Sequence, residues 1–268
     1  RQMCIRDRFI GFPSYFEYIP ISSYNITEAG VSYVVYGSED RTQFKGDYKI
    51  IQRYYMLGTD KYGRDLLSRI IHAIRISFSV GFIAVIISLI IGISLGLIAG
   101  YFRGSVDNLI MWLINVIWSI PTLLMVIAIS LALGKGFWQL FVAIGLTMWV
   151  EVARVVRGQV LSTRELEYVQ AGKVLAYGSF RIIFRHILPN VFAPIIIISV
   201  ANFSAAILIE SGLSFLGIGV QPPLASLGTI IKNHYSYIIL NDAYLAVFPG
   251  LVITVSYTHL TLPTNVAV

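Results

Sequence analysis

The sequence predicts an all-α, polytopic membrane protein: a bundle of helices crossing a bilayer. Three observations predict it. Of 268 residues, 56% are hydrophobic and only 13% charged, against about one quarter charged in soluble domains. Mean hydropathy is +0.75. Several uncharged runs approach or exceed the ~20 residues that a helix needs to cross a hydrocarbon core, where backbone polar groups must be satisfied internally. The net charge of +6 fits inner loops meeting anionic lipid, not nucleic acid. The single cysteine, Cys4, excludes an internal disulfide and suggests no metal cluster. No signal-peptide pattern or cleavage site is read within these 268 residues.

Taken in order, residues 1–8, R-Q-M-C-I-R-D-R, lack an initiator Met and resemble translated adapter sequence. The stretch S-Y-T-H-L-T-L-P-T-N from Ser256 resembles the same kind of sequence. Residues 1–8 and 256–268 are therefore expected to be non-native ends without packed contacts. Residues 9–75 are expected to form an extracytoplasmic segment and an interfacial helix. Within them, 9–58 is aromatic and alternates as in V-S-Y-V-V-Y (Val31–Tyr36), which reads as short strands or turns. The sequon Asn25-Ile26-Thr27 is too short a motif to carry a function. In G-T-D-K-Y-G-R-D, from Gly58, Asp60 can cap a turn that Gly63 allows. From Asp65 a helix follows, with Leu66, Ile70, Ala73 and Ile74 on one side and Arg69 and Arg75 placed to snorkel.

The transmembrane core is expected over 76–255. The first uncharged run, 76–102, carries Gly81, Gly92, Gly96 and Gly100; the last three form a G-x-x-x-G-x-x-x-G stripe for close helix packing. After a polar turn at 103–107 comes a second run, 108–134, in which Pro121 is expected to kink the helix. A third, 136–150, continues towards Glu151, Arg154 and Arg157 and is expected to extend past the hydrocarbon. A fourth is 187–209, with Pro189 in its first turn. Glu210 follows, then S-G-L-S-F-L-G-I-G-V-Q-P-P (Ser211–Pro223), expected to be bent and partly re-entrant because of Pro222-Pro223. A fifth run begins at Ala243.

Residues 162–190 form the longest polar segment of the second half. Ser162 and Glu165 have capping-box spacing, so a helix is expected to start there. On it Tyr168, Ala171, Gly172 and Leu175 share one face, apolar at its ends and small at its centre. Gly178 suits the helix end, Ser179 a second cap, and Arg181 and Arg185 lie one turn apart.

This segment resembles the cytoplasmic loop of ATP-binding-cassette (ABC) importer permeases, which reads roughly E-A-A, three residues, G, nine residues, I-x-L-P. Aligned on Leu188-Pro189, the corresponding positions are Gln170, Ala171, Gly172, then Ala176, then His186. The acid, the third alanine and the glycine are replaced. The surrounding E-Y-V-x-A and R-I-I-F-R-H-I-L-P-N, the earlier G-T-D-x-x-G-R-D-x-L-S-R and the later S-G-L-S-F-L-G-I-G-V-Q-P-P resemble the peptide-importer branch, second-permease type. The resemblance spans 58–255, with its blocks in the family's order.

The resemblance implies the type I ABC importer permease fold in the cytoplasmic membrane. The loop would be the coupling helix, meeting an ATPase subunit through Leu166, Glu167, Tyr168, Gln170, Ala171, Gly172, Leu175, Ala176 and Gly178. Glu210, Pro189 and Pro121 would serve structure and gating. Implied partners are ABC ATPase subunits, a homologous permease and an extracytoplasmic substrate-binding protein. With the loop inside, Arg103, Arg154, Arg157, Arg164, Lys173, Arg181 and Arg185 are inner, in keeping with positive-inside. The Lys61–Arg75 cluster falls outside, against that rule, and parity asks for a further span before residue 9.

No G-x-x-x-x-G-K-[ST], H-E-x-x-H or G-x-S-x-G occurs. ATP hydrolysis is thus expected on a separate subunit, with no cofactor or metal bound here. Glu210, a lone carboxylate among apolar residues, leaves one alternative open: a secondary transporter driven by an ion gradient. The other reading of Glu210 is a carboxylate near the outer helix end that positions the segment after it.

Overall fold

The computed structural model describes residues 2–5, 19–27, 30–35, 38–45, 50–60, 62–134, 136–221, 223–239 and 242–266. They fall into two units, 1–72 and 73–268.

The first unit holds strands β1 (Gln2–Ile5), β2 (Ile19–Thr27), β3 (Gly30–Val35), β4 (Arg41–Phe44) and β5 (Ile51–Arg53) in one sheet, order β4-β3-β2-β1-β5. The alternation read at 31–36 holds over 31–35, Tyr36 lying outside the described residues: Val31 and Tyr33 are buried with Ile21, flanked by Ile19, Tyr24, Val35 and Phe44. Residues 1–8 were expected to stand apart, but Met3 lies opposite Ile21 on one side and Gln52 on the other. An uncharged Gln-Met-Cys-Ile stretch can join two strands through main-chain bonds, which composition alone does not reveal.

The turn at Asp60 forms as its sequence suggests. Asp60 Oδ1 accepts the backbone N–H groups of Tyr62 and Arg64, both at 2.9 Å, and Gly63 has φ +73°. Asp60 Oδ2 is held by the guanidinium groups of Arg64, at 2.8 Å, and Arg69. Asp65 then accepts the N–H groups of Leu67 and Ser68 and so caps α1 (Leu66–Phe102). Leu66, Ile70 and Ala73 are buried, as their spacing predicts.

The second unit takes in the rest of α1 and the helices α2 (Gly104–Trp118), α3 (Thr122–Leu133), α4 (Phe137–Arg164), α5 (Glu167–Val174), α6 (Ser179–Ile182), α7 (Phe192–Leu216), α8 (Leu227–His234) and α9 (Tyr244–Val266). A π-helical turn, Ile183–Ile187, continues α6, and a 3₁₀ turn, Tyr235–Ile238, continues α8. Helices α1, α4, α7 and α9 are each long and apolar enough to cross a membrane; α2 and α3 together make a fifth candidate, bent by 90°.

The glycine stripe of α1 packs on a valine stripe of α4. A Cβ on Gly92 would lie 2.5 Å from Val152 Cβ, and one on Gly96 or Gly100 would lie 2.7 Å from Val156 Cβ or Val160 Cβ. Each is far inside the ~3.5–4.0 Å at which carbon atoms attract, so the two backbones approach closely because those positions lack side chains.

Several local expectations are corrected. Pro121 does not kink one helix; it separates two. Helix α2 ends at Trp118, and Pro121 takes an extended conformation (ψ 126°) ahead of α3, since proline lacks the donor and pushes its predecessor out of helix. The polar turn at 103–107 shrinks to Arg103, at φ +57°. The Ser162/Glu165 capping box does not form. Helix α4 runs on to Arg164, and Ser162 Oγ bonds back to the Gln159 carbonyl at 3.0 Å. Pro189 lies ahead of α7, in the turn after the π-helical segment, not in the first turn of the helix. Within the 256–268 segment, expected to make no packed contacts, α9 continues to Val266, and Tyr257 and Leu262 on it are exposed.

After α7, Gly217 (φ +85°) supplies a left-handed stop. The chain turns back, and α8 lies buried on Leu227 and Ile230. This is the bent segment anticipated from Pro222-Pro223; Pro222 itself lies outside the described residues.

Candidate functional site: the 162–190 loop and a buried carboxylate

Helix α5 is joined to α4 by a two-residue link. Leu166 is extended at its start, with no side-chain cap. Val169, wholly buried, anchors α5 in a cluster with Val156, Val160, Ile182, Ile183 and Ile187. Polar contacts fix the base of the loop. Gln170 Nε2 donates to the Arg164 carbonyl at 3.0 Å, Arg164 reaches the Tyr101 carbonyl at 2.6 Å, and Arg103 pairs with Glu165 at 2.6 Å. Burial first, and then the Arg164 guanidinium, hold the Lys173 ammonium below its usual range, with Glu165 opposing.

The end of α5 is a Schellman motif: Tyr177 N–H bonds to the Gly172 carbonyl at 3.0 Å and Ala176 N–H to the Lys173 carbonyl at 2.9 Å. Its left-handed residue is Ala176, at φ +56°. This is the position where the resembled loop carries glycine, so the replacement puts a Cβ where the backbone disfavours one.

Of the predicted loop residues, Leu166, Glu167, Tyr168, Ala171, Leu175, Ala176 and Gly178 are exposed, and Gln170 is half-buried. Gly172 is not on the outer face. It is buried, and a Cβ there would meet the Tyr177 ring at 3.4 Å. The four-residue face read from helical spacing is thus split, Gly172 turning inward with Val169. The outer apolar face instead gains Val174 (87% exposed) beside Leu175 (63%), while Phe180, also exposed (74%), lies on α6 with its ring against Phe184. Sequence reading missed Val174 and Phe180. An apolar residue in a polar loop, off the core-facing stripe, was the available signal. Gly178 ends no helix and precedes α6, in which Ser179 is the first residue. Arg181 stacks on Tyr177 at 4.2 Å, and His186 lies stacked over the same ring.

Glu210 lies inside α7, not at its end, and is fully buried. Ser77 Oγ donates to its Oε2 at 2.7 Å and Ser214 Oγ to its Oε1 at 2.6 Å; Ser211 Oγ is 3.4 Å from Oε2. Ser77 Oγ in turn accepts Leu227 N–H (3.4 Å), and Ser214 Oγ accepts Val220 N–H (3.1 Å). One carboxylate therefore gathers α1, α7 and both ends of the 220–227 segment. Pro121 and Pro189, the other predicted structural positions, lie at the α2/α3 break and beside the π-helical turn. Among the described residues no group of His, Cys, Asp and Glu could hold a metal ion.

Residues 92–268 match the family described as "Binding-protein-dependent transport system inner membrane component". The chain is 39% identical over 202 residues to the dipeptide transport system permease protein DppC of Bacillus subtilis, covering 75% of this chain and 63% of that protein. It is 39% identical over 179 residues to the oligopeptide transport system permease protein OppC of the same organism, covering 67% and 59%, and 40% identical over 212 residues to the di/tripeptide permease DppC of Pseudomonas aeruginosa, covering 79% and 69%. The chain thus spans about three fifths of the length of the two Bacillus relatives. A chain of the MetNI methionine ABC transporter, in an inward-facing form, superposes with TM-score 0.63 at 13% identity, covering 75% of this chain and 94% of that one. A chain of an amino acid ABC transporter crystallised with histidines superposes with TM-score 0.53 at 17% identity, over 74% and 90%. At such identities these likenesses speak for the fold, the type I ABC importer permease fold. Nothing in the comparisons favours the ion-gradient alternative raised from Glu210.

Proposed function

The chain belongs to the family of binding-protein-dependent transport system inner membrane components, and from that premise we propose that it is the permease subunit of an ATP-driven importer moving peptides across the cytoplasmic membrane. The names of its relatives support peptide as cargo. In this reading it works beside a homologous permease, ABC ATPase subunits and an extracytoplasmic substrate-binding protein, and makes and breaks no covalent bond itself.

The observation that carries the reading is the outward apolar face of Tyr168, Val174 and Leu175 on a short helix pinned to the bundle by Val169. An exposed apolar helix face, fixed at its back, suits insertion into a groove on a partner. Helix α4 leads into this loop and α7 leads out of it, so a push on α5 reaches two spans directly. Glu210 serves in the same reading as the positioning group of the outer segment after α7.

Docking is tested by placing a charge on the exposed face. Val174→Asp and Leu175→Asp leave the buried side of α5 alone. Each strands a carboxylate in the contact, which costs about 3–5 kcal/mol when unpaired. The expected result, in the full-length protein within its assembled system, is normal membrane insertion with loss of ATPase co-purification and of binding-protein-stimulated ATP hydrolysis. Normal co-purification and stimulation in both variants would remove α5 from the coupling role. Gly172→Arg is the poorer test, because Gly172 is buried and its substitution damages the loop itself.

A further inference from the structure

We propose that the crevice at the α2/α3 break is a subsite for a substrate ammonium group, with Glu151 as the residue that selects for it. This rests on the reading of the chain as a peptide permease. The crevice encloses about 130 Å³ and is lined by Trp118, Thr122, Met125, Thr147, Glu151 and neighbouring apolar side chains. Pockets that hold drug-sized ligands run to about 300–1,000 Å³, so the space suits the charged head of a substrate and not a whole peptide.

Three features give it a sign. Glu151 is exposed midway along α4, although the residues around it from Leu140 to Val156 are mostly buried. Among the described residues it has no hydrogen bond and no ion pair. A lone carboxylate lining a mostly apolar crevice is costly unless it faces water or a counter-charge. The cation one turn away does not neutralise it: Arg154 stacks on the Trp118 ring at 3.5 Å and donates to Asn115 Oδ1 at 3.1 Å. The crevice also sits at the carboxyl end of α2, where the helix dipole is negative. Thr147 and Thr122 line the wall, and the ring of Trp118, held by Arg154, is its aromatic side.

A free carboxylate, a negative helix end and an aromatic wall are the chemistry that recognises a primary ammonium. In a peptide that group is either the α-ammonium or a lysine side chain. The experiment measures uptake by the assembled transporter in proteoliposomes, with wild type, Glu151→Gln and Glu151→Asp. Four tripeptides of one size serve as substrates: with and without an acetylated N-terminus, each with lysine or norleucine. In the half-open crevice the pair is worth about fivefold in apparent affinity.

The expected result is that Glu151→Gln raises the KM of amine-bearing peptides about fivefold, leaves the acetylated norleucine peptide unchanged, and is rescued by Glu151→Asp. An effect confined to unacetylated peptides assigns the subsite to the α-ammonium; one confined to lysine peptides assigns it to the side chain. Equal effects on all four peptides, or none on any, overturn the inference while leaving the peptide reading in place. Absence of peptide uptake by wild type, with ATP hydrolysis intact, overturns the peptide reading and the subsite with it.

Discussion

Replacing Gly96 with alanine tests the close approach of α1 and α4. The added Cβ would stand 2.7 Å from the Ala153 carbonyl oxygen, 2.7 Å from Val156 Cβ and 2.9 Å from Val156 Cγ1. Two of the three are backbone or stem atoms that no rotamer change moves, so the helices must part by roughly 1 Å to restore ordinary contact. Overpacking of this kind costs about 1–3 kcal/mol, and here the upper end applies. Alanine returns about 1 kcal/mol of helix propensity, leaving a net loss of about 2 kcal/mol. Gly158→Ala is the internal control: it is helical too, and its Cβ would meet nothing within 4 Å, so it should gain up to about 1 kcal/mol. The assay is the denaturation midpoint of the purified protein in detergent. Equal midpoints for Gly96→Ala and Gly158→Ala would refute the packing argument.

Three further outcomes are expected. Ala176→Gly relieves a left-handed alanine and should stabilise the end of α5 by about 1 kcal/mol, read as slower hydrogen exchange at the Tyr177 amide. Burial raises the Asp60 carboxyl, but the Arg64 N–H and guanidinium and the Arg69 guanidinium outweigh it and hold the group below its usual range. Its contribution to stability is therefore fully present above the unfolded value of about 3.9 and lost as pH falls through the lower folded value, a dependence that acid titration should find missing in Asp60→Asn. Glu210→Gln puts a donor opposite one of two serines whose hydroxyl hydrogens already point inward. The serine facing the new NH2 must then accept from it, and its own O–H loses the carboxylate as acceptor, which loosens the cluster; the Val220 or Leu227 amide bonded to that serine should exchange faster while membrane insertion is unchanged.

What could be read in the sequence followed the strength of its periodic signals. The spans were legible because they are uncharged for tens of residues, and the glycine stripe because its four-residue repeat has one physical use. The Pro121 break was half legible: proline announces an interruption, but the 90° bend depends on what α2 and α3 pack against. The inward turn of Gly172 was not legible, because helical spacing sets Gly172 between Tyr168 and Val169, and only the packing of Val169 decides which side of α5 faces the bundle. The Glu210 cluster was visible only as a lone acid. Of its two close partners, Ser214 lies one helical turn on, but Ser77 lies 133 residues away in sequence, and no local pattern predicts that encounter. The strand at 2–5 escaped because main-chain pairing leaves little trace in side-chain type.

The interlocked stripes of α1 and α4 have a mechanical consequence. With Gly92, Gly96 and Gly100 seated on Val152, Val156 and Val160, neither helix can slide or roll on the other without collision. Val169 and Ile187 bind the loop to the same valines. In the coupling role proposed for α5, this part of the bundle would act as one stiff strut and pass on a displacement applied at α5. Compliance must then reside where hydrogen-bonded helix is interrupted, foremost at residues 119–121, so that the strut tilts as a whole while α3 swings about its start.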